Sequence, residues 1–303
     1  MAEPREHRGR GQPSGVEGGC GCRHAVRASA GAVSTLLPTL DHVLAVTRGR
    51  WAMLAAAGRY AVPSVRGNAF GPVSGRTVLR LDPERLTVVH ESCPGESTLS
   101  FEATTAHTSH RVLARTAVDR LVLDGLARPD AFDGSPACAA AAPAPHWRAG
   151  DQLAQLDAGL AGEGRERRRA LTDDDAPLAR RFDDRLVPEI LEHLCATGVP
   201  IGVAVFAPGV VQLETGVVHA TSADESGTLT TRVGDATLRV ALPAVRDGLL
   251  VTTHGPHGPT SALELHDDDG DVVAMLGQFG LVHPEVHRMW AHLTASLPAA
   301  ERG

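Results

Sequence analysis

Alternation of apolar and polar residues with period two runs through most of the chain. LDHVLAVTRG (40–49), RTVLRL (76–81), LTVVHE (86–91) and STLSFEA (97–103) carry it in the first part. Successive side chains of a strand point to opposite faces, so these stretches predict half-buried antiparallel strands. IGVAVFAPGVVQLETGVVHATS (201–222), TLTTRV, ATLRVAL, GLLVTTH and SALELHDDDGDVVAML repeat the signal later. DDDG at 267–270 reads as the hairpin turn inside the last of these, with Gly270 able to take positive φ. Helical spacing is rarer. VPEILEHLCATG (187–198) puts Val187, Ile190, Leu191 and Leu194 on one face and offers Gly198 as C-cap. PEVHRMWAHLTASL (284–297) closes the chain in the same style, with Pro284 in the first turn, where its missing N–H costs nothing.

Two stretches lack either period. Residues 1–31 are rich in Gly, Arg and Glu and read as a disordered leader; residues 129–145, ending in CAAAAPAP, read as a Pro/Ala-rich linker. They leave two units, 32–128 and 146–298. The units share landmarks. Leu44-Ala45-Val46 can be set against Val203-Ala204-Val205 at an offset of 159 (203 less 44), and Glu102 in TLSFEA against Glu264 in SALELH at 162 (264 less 102). Nearly equal offsets point to one ancestral sheet unit used twice, an internal duplication. The expected fold class is α+β: two repeats, each a large antiparallel sheet packed with helices.

The net charge of −7 argues against a nucleic-acid surface. Five cysteines in 303 residues are too few and too odd in number for a disulfide framework, so reduced thiols in a cytosolic setting are expected. No apolar h-region follows the basic residues of the leader, and no apolar run approaches the ~18 residues of a membrane span. The leader nevertheless contains Cys20-Gly21-Cys22-Arg23-His24, three soft ligand candidates within five residues. Zinc would need a second pair from another turn, and Cys93, Cys138 and Cys195 are single and far apart. The stretch reads as a loose tail, with a transient heme or metal tether as the other reading.

The second unit resembles the C-terminal repeat of the HemS/ChuS/HmuS-type hemin-degrading and hemin-transport family. The resemblance rests on Pro200-Ile201, Gln212, Gly216, Thr260-Ser261, Glu264, Gly270, Gly277 and Trp290. VLAVTRG (43–49) and LSFEATTAHTSHRVLAR resemble the matching phrases of the family's first repeat. This similarity implies a ligand groove between two repeats and heme handling in the cytoplasm, either heme trafficking or oxidative ring opening in iron acquisition. Heme is the implied ligand; a heme uptake transporter and an electron-donating reductase are the implied partners, with no nucleic acid and no membrane insertion. Such a site needs an iron ligand, groups for two propionates and an apolar wall.

The chain departs from the family where the ligand belongs. The family's axial histidine falls near Asp151 to Ala154, in RAGDQLAQL, which has none; the nearest is His146, in PHWR. His146 is therefore the candidate iron ligand, with a surface histidine beside Trp147 as the plain reading. The basic turn has become Leu276-Gly277-Gln278-Phe279-Gly280, so Gln278 keeps hydrogen bonding without charge. His254 and His257, between the last long strands, could be half-charged near neutral pH and touch a propionate. Arg66 and Arg76 are the basic candidates of the first half. His107 and His110 sit three apart in an expected turn and read as solvated. Gln212 and Glu214 alternate on one strand and share a face; Glu214 stands where relatives carry histidine, and its charge would repel propionates. Two other readings remain: a degenerate scaffold of this family acting as a binding module without heme, and a metal-dependent hydrolase using His254, His257 and His266.

Overall fold

Alternation in the sequence becomes alternation in burial. In the strand Val43–Arg48, Val43, Ala45 and Thr47 are buried while Leu44 and Val46 are half-buried. The structure, a computed structural model, describes residues 23–25, 33, 36–61, 64–65, 75–82, 85–93, 95–103, 108–125, 152–161, 164–173, 179–255, 258–279 and 282–300. Its first half runs β1 (Arg23–Ala25), β2 (Val43–Arg48), β3 (Ala52–Tyr60), β4 (Ser64–Val65), β5 (Arg76–Leu81), β6 (Leu86–Cys93), β7 (Glu96–Ala103), β8 (Thr108–Ala114) and helix α1 (Ala117–Gly125). Helices α2 (Gln152–Leu160) and α3 (Gly164–Leu171) follow, then β9 (Ala179–Phe182) and α4 (Val187–Thr197). The second half continues with β10 (Pro200–Ala207), β11 (Val210–Ala223), β12 (Thr228–Val233), β13 (Ala236–Ala241), β14 (Asp247–Gly255), β15 (Gly258–His266), β16 (Val272–Gly277) and α5 (Pro284–Ser296).

The strands pair in the order β1-β6-β7-β8-β2-β3-β13-β12-β11-β10-β16-β15-β14-β9, with β5 attached to β11 and β3. The duplication is visible as one pairing scheme used twice. Bulges fix its register: β7 shifts against β8 between Phe101 and Glu102, and β15 against β16 between Leu265 and His266, an offset of 164 (265 less 101). Following the pairs inward, Thr47 faces His110 as Val205 faces Ala274, an offset of 158 (205 less 47). The same 158 relates Gly58, opposite Val43, to Gly216, opposite Ile201.

The expected offsets of 159 and 162 therefore need correction. Leu44-Ala45-Val46 set against Val203-Ala204-Val205 is one residue out, and one residue turns every side chain to the other face. At 158, buried Val43 and Ala45 match core residues Ile201 and Val203. Glu102 matches His266, and Glu264 matches Ser100.

The repeats exchange strands at their seam. β13 of the second half pairs with β3 of the first, and β5 of the first pairs with β11 of the second. Each core therefore draws on both halves: Ala52, Leu54 and Ala56 of β3 lie in the second half's core, and Val210 of β11 lies in the first's. Within the second half, Gly216 lets β11 pass close to the β12–β13 turn, because a Cβ there would stand 2.8 Å from the Gly234 backbone. The leader also differs from expectation. Arg23–Ala25 is a strand on β6, with Arg23 opposite Glu91 and His24 opposite His90. Three residues of backbone pairing need no periodicity, so the pattern could not show them.

The helices follow their apolar stripes. α4 buries Val187, Ile190, Leu191 and Leu194, and Gly198 ends it in the left-handed conformation at φ 67°. On α5, Trp290 is fully buried and its Nε1 donates to the Ser261 carbonyl at 2.7 Å. α4 and α5 cover one face of the second sheet. Among the described residues no helix is long and apolar enough to cross a membrane.

Interlocked cores should unfold together. Leu54→Ala, a substitution in the first half, is expected to cost about 2–5 kcal/mol by opening a void in the second half's core. Urea melts followed by tryptophan fluorescence and by far-ultraviolet circular dichroism should coincide in wild type and variant; separate midpoints would show that the halves fold independently.

Candidate functional site

The other face of the second sheet meets α2 and α3, and the space between them lies on the seam. α2 presents Leu156 and Leu160, four apart and therefore on one stripe, to a wall of Ala204, Phe206, Val211, Leu213 and Met275, joined by Val78 of β5. Two glycines, one on α2 and one on the sheet, leave room for aromatic rings. A Cβ at Gly159 would collide with the Phe206 ring, and one at Gly202 with the Phe279 ring. Packed shut in this structure, the layer between α2 and the sheet is an apolar core that includes two aromatic side chains; parted, it would form a cleft suited to a flat apolar ligand.

Its polar residues are buried and paired. Arg80 of β5 holds Asp157 of α2 in a two-pronged bond, Nε and one terminal nitrogen each 2.6 Å from a carboxylate oxygen. Arg167 of α3 grips Glu264 of β15 with both terminal nitrogens, one of them at 2.6 Å, and one also reaches Gln155 Oε1 at 2.9 Å. Glu264 in turn meets His266 Nε2 at 3.0 Å, while Nδ1 of the same ring sits 3.0 Å from the Gly270 carbonyl. Burial alone would raise the Glu264 pKa, but the charge of Arg167 and the bonds from His266 and Arg167 outweigh it and hold the carboxyl at about 2. At the entrance of α2 stands Gln152, 2 % exposed, whose Nε2 donates to Thr260 Oγ1 at 3.2 Å. Gln152 Oε1 and Arg167 Nε have no hydrogen-bond partner among the described residues.

The sequence candidates distribute unevenly around this cleft. Gln278 is 4 % exposed and ties the cleft's end to the chain, donating to the Pro200 carbonyl at 2.7 Å. His254 closes β14, its backbone opposite Pro259. Gln212 lies on the other side of the wall: Val211 and Leu213 face α2, so Gln212 and Glu214 face the first half's core. His146, Arg66, His257 and His107 lie outside the described residues, as do Cys20, Cys22, Cys138 and the 129–145 linker. Arg76 reaches the Tyr60 carbonyl at 3.4 Å. His110 is corrected from solvated to fully buried, because β8 starts at Thr108 and carries it inward. His266 is a buried partner of Glu264; among the described residues no three His, Cys, Asp or Glu side chains gather as a metal site.

Sequence reasoning missed Arg80, Asp157 and Arg167. Nothing local marks them, since their partners are 77 and 97 residues away. Glu214 is 8 % exposed and accepts from Gln212 Nε2 at 2.9 Å. Burial, against the bonds from Gln212 and Thr77, pushes its carboxyl up to about 7.

Comparison with known proteins comes from two directions. Residues 164–297 match the family model of the haemin-degrading HemS.ChuX domain. No protein with a curated description matches the sequence. The fold is similar to that of apo-PhuS, a heme-binding protein from Pseudomonas aeruginosa, at TM-score 0.68 and 20% identity over 92% of this chain and 88% of that one. It is equally similar to ChuS, an E. coli heme oxygenase, at TM-score 0.68 and 19% identity over 91% of this chain and 89% of that one.

The two buried carboxylates should respond to pH in opposite senses. Glu214 is raised from 4.5 to about 7, so the folded protein keeps a proton that the unfolded chain releases. Its contribution is greatest below pH 4.5 and falls as pH rises through about 7, by on the order of 3 kcal/mol. Glu264 is lowered to about 2, so its contribution is fully present above pH 4.5 and is lost as pH falls from there through about 2. Urea unfolding at pH 5 and pH 8 should show a smaller difference in Glu214→Gln than in wild type. Arg167→Met should cost about 3–5 kcal/mol at either pH, because Glu264 stays buried without its guanidinium.

Proposed function

We propose that this chain, whose second half is a HemS.ChuX domain set within the PhuS and ChuS fold, is a cytoplasmic heme-binding protein that passes heme on or presents it for oxidative ring opening. The observation that carries the reading is the position of the domain match: residues 164–297 run from α3 to α5 and build the floor of the seam cleft. Porphyrin is flat and apolar with two carboxylates at one edge. The wall around Phe206 and Phe279 suits the ring, and Arg80 and Arg167 suit the carboxylates.

Asp157 marks how heme would enter. Its carboxylate holds Arg80 as a propionate would. A heme seated on the wall would displace Leu156 and Leu160, lift α2, and let Arg80 exchange Asp157 for a propionate. Glu264 stays on Arg167, so the second propionate would share that guanidinium through its unpartnered Nε. His146, six residues before the start of α2, is the proposed iron ligand, with His254 and His257 as the proposed groups at the far end of the β14–β15 hairpin. Ring opening would draw its electrons from a partner reductase, and delivery would involve a heme uptake transporter.

One observation favours the degenerate-scaffold reading. Gln152 occupies the place expected for the ligand histidine, and His266, the described histidine of the cleft, has both ring nitrogens engaged.

An absorption titration with ferric heme separates the two readings. Wild type should show a saturable Soret shift at one equivalent, and His146→Ala should lose it. A shift that survives the substitution moves the ligand to His254 or His257. No saturable shift at all leaves the scaffold reading.

A further inference from the structure

The duplication supplies an internal control for the first half's core. Its buried positions that carry a polar atom include Thr47, Tyr60, Thr77, His110, Gln212 and Glu214. By the pairing registers their counterparts are Val205, Val218, Ala236, Ala274, Leu54 and Ala56, and all six belong to the second half's apolar core. The scaffold therefore packs this place without a polar atom, and does so elsewhere in the same chain. Burying polar groups where apolar ones fit gains no stability. The polar set is an addition to the fold, concentrated in one half.

Three of its members form a chain. Tyr60 Oη lies 2.8 Å from His110 Nε2, and His110 Nδ1 lies 2.7 Å from Thr47 Oγ1. One tautomer satisfies both contacts with the phenol as donor: Nδ1–H donates to Thr47 and Nε2 accepts from Tyr60. All three side chains are fully buried, so no substrate reaches them. Electrons and protons can. Tyr60 is also the chain's one tyrosine, and it is placed with a base on its hydroxyl.

We infer that Tyr60 is a redox-active tyrosine whose proton is taken up by His110. A one-electron oxidant removes an electron from the phenol, the O–H bond breaks, and the proton crosses to Nε2. The products are a neutral phenoxyl radical and an imidazolium that keeps its Nδ1–H on Thr47. A returning electron reverses each step. The natural oxidant, which rests on the heme reading above, is a cleft-bound heme oxidised by peroxide; only the sheet of β5 and β11 separates the cleft from the polar core. Tyr60 would then draw oxidising equivalents from the porphyrin into a place where the radical meets neither solvent nor ligand.

The test begins without heme. Apoprotein is oxidised by photogenerated ruthenium(III) tris-bipyridine, freeze-quenched and read by electron paramagnetic resonance. Wild type should give a tyrosyl signal whose formation slows in deuterium oxide, and Tyr60→Phe should give none. His110→Gln keeps a hydrogen-bond acceptor but no base, and should form the radical at least about tenfold more slowly. No tyrosyl signal in wild type, or equal rates in His110→Gln with no deuterium effect, would overturn the proposal; if His110→Gln does not fold, the deuterium effect decides. Heme-loaded protein treated with peroxide is the second arm. A radical there ties Tyr60 to heme, and its absence beside a positive first arm removes heme as the oxidant. Failure to bind heme would show in the titration and leave the first arm standing.

Discussion

Backbone pairing across the seam is the constraint on which the rest depends. A strand's edge must find a partner, and here the edges of β3 and β11 find theirs in the opposite repeat. That exchange carries Leu54 and Ala56 into one core and Gln212 and Glu214 into the other. It also brings β5 beside β11, which sets Arg80 over α2 and closes the cleft. Cleft and polar core lie on opposite faces of the same two strands, so a change at either is felt by the other.

Charge inside the cleft is balanced pair by pair. Arg80 with Asp157 and Arg167 with Glu264 are two-pronged contacts in which both partners are buried or nearly so. Such pairs contribute little net stability, yet removing one member is costly. They fix α2 and α3 in register on the sheet more than they strengthen the fold. A ligand carboxylate is the chemical competitor that could take the place of Asp157 on Arg80 without leaving that cation stranded.

Local chemistry made part of this legible in the sequence. The turn at Asp267–Gly270, the stripe and Gly198 cap of α4, and Pro284 at the start of α5 all follow from nearest-neighbour rules, and all stand where expected. The strands were visible as well, but their register was not: the 159 alignment matched composition, whereas the bulges at Phe101 and Leu265 set the true one. Nothing near GRERRRAL (α3) in the sequence shows that Glu264, 97 residues on, awaits Arg167 from the sheet. His110 misled for a similar reason, since its partners Thr47 and Tyr60 are 63 and 50 residues away. The family resemblance pointed to the fold; long-range pairing decided which side chains meet at the seam.

The ends of the sheet matter for how copies of this chain meet. Among the described residues the outermost strands along the main run of pairing are β1, three residues long, and β9, four residues long. The outer side of β9 is closed by the chain's own tail: Phe182 bridges to Ala299, and Ala300 N–H donates to the Arg181 carbonyl at 3.2 Å. A long sheet is a template for intermolecular strand addition wherever its last strand lies open. Here a few terminal residues act as a plug. The sheet can grow to this width within one chain because little unpaired edge is left at β9 for a second chain to continue.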